Sequence, residues 1–222
     1  MPCLEYVDKI VSQSEPPAFS LFMKTFLHIG CGFNRKDRTT RGFNSIEWDE
    51  LRLDIDPTCN PDIIGSMTEM TAVASGSVDA LFSSHNIEHL YPHEVPLALG
   101  EFRRVLKPGG FAVITCPDLQ SVAELIAGDK LADPAYTSPA GPIAPIDILY
   151  GHRASMAKGN LYMAHRCGFT ENVLIGTLQA SGFHAVASKR RPHPFYDLWA
   201  LAWVSAVDES VMRAIVAEHF PV

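Results

Sequence analysis

The 222-residue chain has no apolar run near the roughly 20 residues that a membrane-spanning helix requires, so no membrane partner is expected. It has no Cys-x-x-Cys pair. Its five cysteines (Cys3, Cys31, Cys59, Cys116 and Cys167) are odd in number and scattered, which argues against a disulfide framework and for free thiols in a reducing cytoplasm. There is no surplus of basic charge: Lys and Arg number 18 against 25 Asp and Glu, a net charge of −7. Proteins that track a nucleic-acid backbone concentrate the opposite sign, so no nucleic-acid partner is expected. Repeats and low-complexity tracts are absent, and Glu5 and Asp8 stand where a secretory leader would be basic and then apolar. What the chain does have is 47% hydrophobic residues, enough at this length for one full core and hence a single domain over residues 1–222.

Those apolar residues cluster. Thr25-Phe26-Leu27-His28-Ile29 runs into Gly30-Cys31-Gly32, and Leu51-Arg52-Leu53 runs into Asp54-Ile55-Asp56. Such density suits strands buried on both faces of a parallel sheet. Two glycines at a strand exit let the backbone turn sharply and approach a ligand that a Cβ would hold off. An acid at the tip of the next strand can accept hydrogen bonds from both hydroxyls of a ribose. Asp54 follows Gly30 by about two dozen residues, near the spacing of nucleoside-binding strand–loop–strand units. Asp56 shares its side of the strand and rivals it for the ribose. A dinucleotide would need a third glycine and a helix N-terminus for its pyrophosphate. That glycine position is Arg35, and residues 33–42 have no helical apolar period. An adenosine-containing ligand without a diphosphate fits better, S-adenosylmethionine foremost.

Further on, Val78–Phe82 reads as a buried strand, followed by the polar loop Ser83-Ser84-His85-Asn86-Ile87-Glu88-His89-Leu90. A helix is expected from Pro92-His93-Glu94 to Lys107, with Pro108-Gly109-Gly110 as its stop. Phe111–Thr115 is then the next strand. Strand–loop–helix–turn–strand is the unit of a parallel sheet with right-handed crossovers.

Four segments together resemble the class I S-adenosylmethionine-dependent methyltransferases: Leu27-His28-Ile29-Gly30-Cys31-Gly32, Leu53-Asp54, Ser84–Leu90, and Glu101-Phe102-Arg103-Arg104-Val105-Leu106-Lys107-Pro108-Gly109-Gly110. More narrowly, the chain is similar to the small-molecule type with a His-x-x-Glu-His loop after the fourth strand. The resemblance covers about residues 25–120. It implies a Rossmann-like, doubly wound α/β fold: a mostly parallel seven-stranded sheet with an antiparallel last strand. It also implies that His28, Gly30, Cys31 and Gly32 wrap the methionine end of the cofactor and that Asp54 takes the ribose. Ile55 would also touch the cofactor, Ser66 and Met67 would flank adenine, and Ser84 and His85 would border the reacting centre. His28 stands where the family often has an acid, and Ser66 where it commonly has Asp.

His85-Asn86-Ile87-Glu88-His89 also reads as an inverted zinc-protease signature, with Glu88 as base between two histidine ligands. That alternative, a zinc hydrolase, needs one continuous helix. Pro92 and the preceding strand argue for a loop, so no metal is assigned. Another alternative is a protein that binds the cofactor without methyl transfer.

Residues 4–13 suggest a short helix within a cap segment over 1–24. Pro134, Pro139, Gly141, Pro142 and Pro145 mark an irregular loop, and residues 129–169 together form a lid inserted after the fifth strand. The acceptor is expected there. Tyr150, Arg153, Arg166 and Asn86 are candidate substrate contacts, the two arginines pointing to a carboxylate or phosphate unless they bond lid carbonyls or lie on the surface. His85, His152 and His165 compete as general base. Thr170 is an expected N-cap, Phe183–Ala187 and Leu198–Val204 expected strands, and 208–219 a terminal helix with Val211, Ile215 and Val216 inward. A homodimer is left open.

Overall fold

The computed structural model of the protein describes residues 23–221; the expected helix at 4–13, and nearly all of the 1–24 cap, lie outside them. Among the described residues the strands are β1 (Lys24–Ile29), β2 (Trp48–Asp54), β3 (Ile63–Ile64), β4 (Val78–Ser84), β5 (Leu106–Pro117), β6 (Tyr136–Ser138), β7 (Gly141–Ile143), β8 (Ala185–Arg191) and β9 (Asp197–Trp203). The helices are α1 (Val95–Val105), α2 (Leu119–Ala127), α3 (Pro145–Tyr150), α4 (Arg153–Met156), α5 (Glu171–Ala180) and α6 (Glu209–His219). None of them is long and apolar enough to cross a membrane.

Seven strands make one sheet in the order β3-β2-β1-β4-β5-β9-β8, with β6 and β7 forming a separate hairpin. β9 runs antiparallel to both of its neighbours, and the other pairs in the large sheet are parallel. This is the Rossmann-like arrangement expected from the sequence. The register decides where chemistry can occur. Ile29 pairs with Leu53 on one side and Ser83 on the other, and Ser84 pairs with Thr115. Gly30, Asp54, Ser84 and Thr115 therefore stand level along one carboxyl-terminal edge, the ligand-binding edge of open α/β sheets.

Helices α1 and α5 cover one face through Leu99, Phe102, Leu174 and Leu178, packed on Leu27, Leu81 and Ile114. Burying each of these side chains fully contributes about 1.5–3 kcal/mol. The other face is covered differently. No α-helix links β1 to β2, in keeping with the missing period at 33–42; one 3₁₀ turn, Lys36–Arg38, stands there. Phe43 fills the gap, stacked on Phe26 with centroids 4.3 Å apart and edge-on to Trp48. Helix α6 closes over this cluster with Met212, Ile215 and Val216, followed by Phe220 just past its end. Val211, expected inward, is exposed.

Local boundaries depart from the sequence reading in three places. Helix α1 ends at Val105, and Lys107-Pro108-Gly109-Gly110 form a bulge in β5: Val78 pairs with Leu106 but Ala80 with Phe111. Lys107 Nζ is held there by Asp79 Oδ1 at 2.8 Å. Thr170 precedes α5 as expected, but its side chain makes no capping bond. The tract 129–149 is not irregular throughout, since it contains the β6–β7 hairpin and the start of α3.

Candidate active site at the carboxyl edge

The first loop is a glycine bend braced from below. Gly30 and Gly32 have φ of +59° and +51°, the left-handed region where a side chain is strained. A Cβ on Gly30 would stand 2.1 Å from Asn86 Oδ1, because the Asn86 amide packs under the bend and donates to Ile29 O at 2.8 Å. Asn86 is thus buried against the first loop, away from the lid where a substrate contact was expected. In front of Gly32 the space is open for 4 Å. The N–H of Gly32 donates to Asp54 Oδ2 at 2.7 Å and that of Asp56 to Oδ1 at 2.9 Å. Each Asp54 oxygen keeps a lone pair free. Asp56 is turned outward, capping Thr58 through its N–H and hydroxyl.

Arg52 is the residue here that the sequence reading passed over. It is 1% exposed and lies beneath both loops. Its guanidinium donates to the carbonyls of Asn34 (3.2 Å) and Asn60 (2.7 Å), and to those of Gly32 and Cys59. One planar fork therefore ties the β1 exit to the β2 exit. Its place inside Leu-Arg-Leu was a signal, since a charge in a buried strand needs partners.

The remaining candidates lie nearby. Ile55 is half exposed, Met67 packs on the core, and Ser66 Oγ bonds Thr68 Oγ1. Glu101 and Arg104, from the motif on α1, hold this third loop: Arg104 donates to Met70 O and Glu101 accepts from Met70 N. Ser84 Oγ bonds Thr115 Oγ1. His28 is buried, and its Nδ1 lies 2.7 Å from Glu50 Oε1 on β2. Burial depresses the His28 pKa, with Glu50 pulling the other way. The carboxylate missing before the first glycine is thus one strand over. Cys31 and Cys116 are fully buried, and burial pushes Cys31 up to about 12, so neither is a nucleophile.

The three histidines proposed as bases come together. His85, His152 and His165 line a cavity of about 200 Å³ with Glu88, His89, Tyr136, Phe195 and Tyr196. Gly151 makes this convergence feasible: its φ is +99°, and a Cβ there would meet Met163 O at 1.9 Å. The close crossing lets His165 N donate to Tyr150 O at 3.1 Å, which sets His165 beside His152. Two larger hollows, of about 630 and 890 Å³, lie elsewhere: one at the amino ends of the strands beside Lys24 and Lys107, the other outside α1 and α5. Neither is lined by His85, His152 or His165. Strand register is the better guide than size.

The loop after β4 is a 3₁₀ turn, Ile87–His89, so the single helix of a zinc protease is absent. His85 is held at φ +54° by its N–H bond to Thr115 O, a strained conformation for a non-glycine. Its Nδ1 lies 3.3 Å from Glu88 Oε1. Burial opposes protonation of His85, but the Glu88 carboxylate outweighs it and the pKa moves up. With half its side chain open to solvent, the net upward direction is reinforced. At His165 burial wins, and the pKa falls.

The two arginines each have a partner within the chain. Arg153 grips Asp147 through Nε (2.6 Å) and Nη2 (3.0 Å), which draws the Asp147 carboxyl down to about 2. Arg166 donates to His89 O at 2.9 Å and stacks on Tyr91. Both lie on the surface and are engaged there, Arg153 by a carboxylate and Arg166 by a backbone carbonyl. Tyr150 is exposed and only its backbone serves the site.

Comparison with known proteins agrees with this geometry. Residues 27–114 match the family model described as methyltransferase domain. The fold aligns with the 1,6-didemethyltoxoflavin-N1-methyltransferase of Burkholderia thailandensis, solved with 1,6-didemethyltoxoflavin and S-adenosylhomocysteine bound. That match has 17% identity over 82% of this chain and 72% of the other, at a TM-score of 0.54. A SAM-dependent methyltransferase from Archaeoglobus fulgidus aligns at 14% identity, 82% and 86% coverage and a TM-score of 0.52. One from Mesorhizobium loti aligns at 17% identity, 82% and 91% coverage and a TM-score of 0.52. No curated protein matches the sequence. The segment that matches the methyltransferase-domain model runs over residues 27–114, and the solved S-adenosylmethionine-dependent methyltransferases share the fold.

Proposed function

We propose that the protein methylates a small-molecule acceptor held in the histidine-lined cavity beside the ends of β4 and β5. The observation that carries this is the register that puts the glycine bend, Asp54 and Ser84-His85 on one edge, next to that cavity. The backbone of Gly30, Cys31 and Gly32 holds the methionine end of the cofactor, with His28 beneath it. Asp54 takes the ribose hydroxyls through its free lone pairs; Asp56 is engaged with Thr58. Ile55, Ser66 and Met67 flank the base, and Ser84 and His85 border the methyl group. When bound, the sulfonium supplies an electrophilic methyl carbon.

The chain's own contribution is in-line positioning and proton removal. His85 is the general base: Glu88 holds its Nδ1 side and raises its pKa, which strengthens the imidazole as a proton acceptor. His152 and His165 line the opposite wall. With Arg153 and Arg166 both engaged, a carboxylate or phosphate handle is disfavoured. Tyr136, Phe195 and Tyr196 favour a small flat acceptor with a hydroxyl or ring nitrogen. The test is incubation with methyl-labelled cofactor and a metabolite extract. Label in a small molecule, lost with Asp54→Ala, supports the reading. Tight cofactor binding with no transfer to any compound overturns it in favour of a binding protein.

A further inference from the structure

Glu88 is 1% exposed; among the described residues its Oε1 lies 3.3 Å from His85 Nδ1, outside hydrogen-bond geometry, and its Oε2 has no hydrogen-bond partner. A fully buried carboxylate left in that state is costly, and such groups are paired or bound to metal. Its surroundings are imidazoles. The ligand atoms of Glu88, His89 and His165 lie within 4.8 Å of one another. His89 and His165 pack edge to face with centroids 4.9 Å apart.

The tautomers point the same way. His89 Nδ1 faces Ala164 O at 3.2 Å, and His165 Nδ1 faces Ile148 O at 2.7 Å. A carbonyl only accepts, so each Nδ1 must carry the proton and each Nε2 is left with a bare lone pair. A backbone carbonyl on Nδ1 and a free Nε2 is the arrangement that metal-binding histidines adopt. The two histidines come from distant segments that are stitched together independently of any ion: Arg166 N and Cys167 N both donate to Glu88 O, at 2.8 and 3.2 Å.

We propose that Glu88, His89 and His165 form a binding site for a divalent transition-metal cation, zinc being the best match. This departs from the sequence expectation of no metal, and for a physical reason. That expectation weighed ligands along one helix, whereas the third ligand here arrives from the lid through a tertiary contact. Two imidazoles and a carboxylate suit Zn²⁺, Co²⁺ or Fe²⁺ better than Mg²⁺. A tetrahedral ion with ligands at about 2.0–2.1 Å would draw the ligand atoms to roughly 3.3 Å apart, a modest side-chain adjustment. Its fourth position would face the cavity and the acceptor. The site stands whether or not the acceptor is the flat molecule proposed above, and it is tested without any acceptor.

The full chain is stripped with a chelator, dialysed separately against Zn²⁺, Co²⁺ and Mg²⁺, and its metal content measured by mass spectrometry. Zn²⁺ affinity is then measured by competition with a chromophoric chelator. One equivalent of Zn²⁺ or Co²⁺ and little Mg²⁺ is expected, with a Co²⁺ visible spectrum of a four-coordinate site. His165→Ala and Glu88→Gln should each weaken Zn²⁺ at least about 100-fold, beyond the effect of losing a supporting bond. Circular dichroism checks that each variant is folded, and His165, lying in a loop, is the safer of the two. The proposal is overturned by substoichiometric uptake of every cation, or by wild-type affinity in both variants. Loss of zinc in Cys59→Ser alone would equally overturn it, because the ion would then sit elsewhere.

Discussion

Two clusters of metal-ligand residue types stand at this one sheet edge, Cys31–Asp54–Cys59 and Glu88–His89–His165, and each keeps its ligand atoms within 4.8 Å. They differ in what those atoms are already doing. Asp54 accepts from two backbone N–H groups, and Cys59 Sγ donates to Asp56 O. Burial pushes both thiols up, Cys31 to about 12, so neither offers a thiolate. Arg52, wholly buried alongside, adds a cation that disfavours a second one. In the other cluster Glu88 Oε2 has no hydrogen-bond partner, and both Nε2 atoms are free of the carbonyls that hold Nδ1. Proximity is common; uncommitted donors decide function. The first cluster is a finished brace for the cofactor loop, the second an unfinished coordination shell.

The largest expected effect tests the brace. Gly30→Ala adds about 1–2 kcal/mol for the left-handed conformation and about 1–3 kcal/mol for the clash with Asn86. A fall in thermal stability with loss of S-adenosylhomocysteine binding by calorimetry is expected; an unchanged titration would show that the bend does not hold cofactor.

Next comes a buried imidazole outside both clusters. His219 bonds Thr40 Oγ1 at 2.6 Å and packs on Phe43, and burial holds its pKa down to about 4. Between that value and the ordinary 6.5 the unfolded chain binds the proton and the folded chain does not. Stability therefore falls as pH drops from 6.5 to 4, by about 3 kcal/mol at 1.36 kcal/mol per pH unit, and this contribution is flat below 4. His28 and His165, also lowered, act with the same sign. Urea melts across this window should show a shallower slope for His219→Gln. An equal slope would mean that the finished contact at Thr40 does not keep this histidine neutral.

Asp54→Ala should weaken cofactor binding by about 1–3 kcal/mol while leaving zinc uptake intact, and His165→Ala should do the reverse. Crossed losses would merge the two clusters into one site. The smallest effect belongs to the lid: Arg153→Ala should leave kcat/KM unchanged, because its guanidinium serves Asp147 alone. A rise in KM would restore it as an acceptor contact.

How much of this was written in the chain differs between its halves. Local signals carry the first half: dense apolar runs fix β1, β2 and β4, and the glycines and Asp54 fall at their ends because a strand exit is a short-range property. Arg52 was visible in the sequence, but its four carbonyl partners come from loops that only the fold assembles. In the lid, Arg153 and Arg166 read as ligand-binding because composition cannot show that Asp147 and His89 O already hold them.

By itself the sequence determined the parallel sheet, the glycines and aspartate at its strand exits and a pool of histidines near them. Periodicity and turn chemistry are encoded in neighbouring residues, and these features need nothing more. Which histidines meet, which nitrogen each leaves bare, and that Glu88 is buried beside His85 with Oε2 unpartnered were decided by tertiary structure. Those facts depend on a lid segment crossing Gly151 and docking on the β4 loop, contacts more than 70 residues apart that no local pattern specifies.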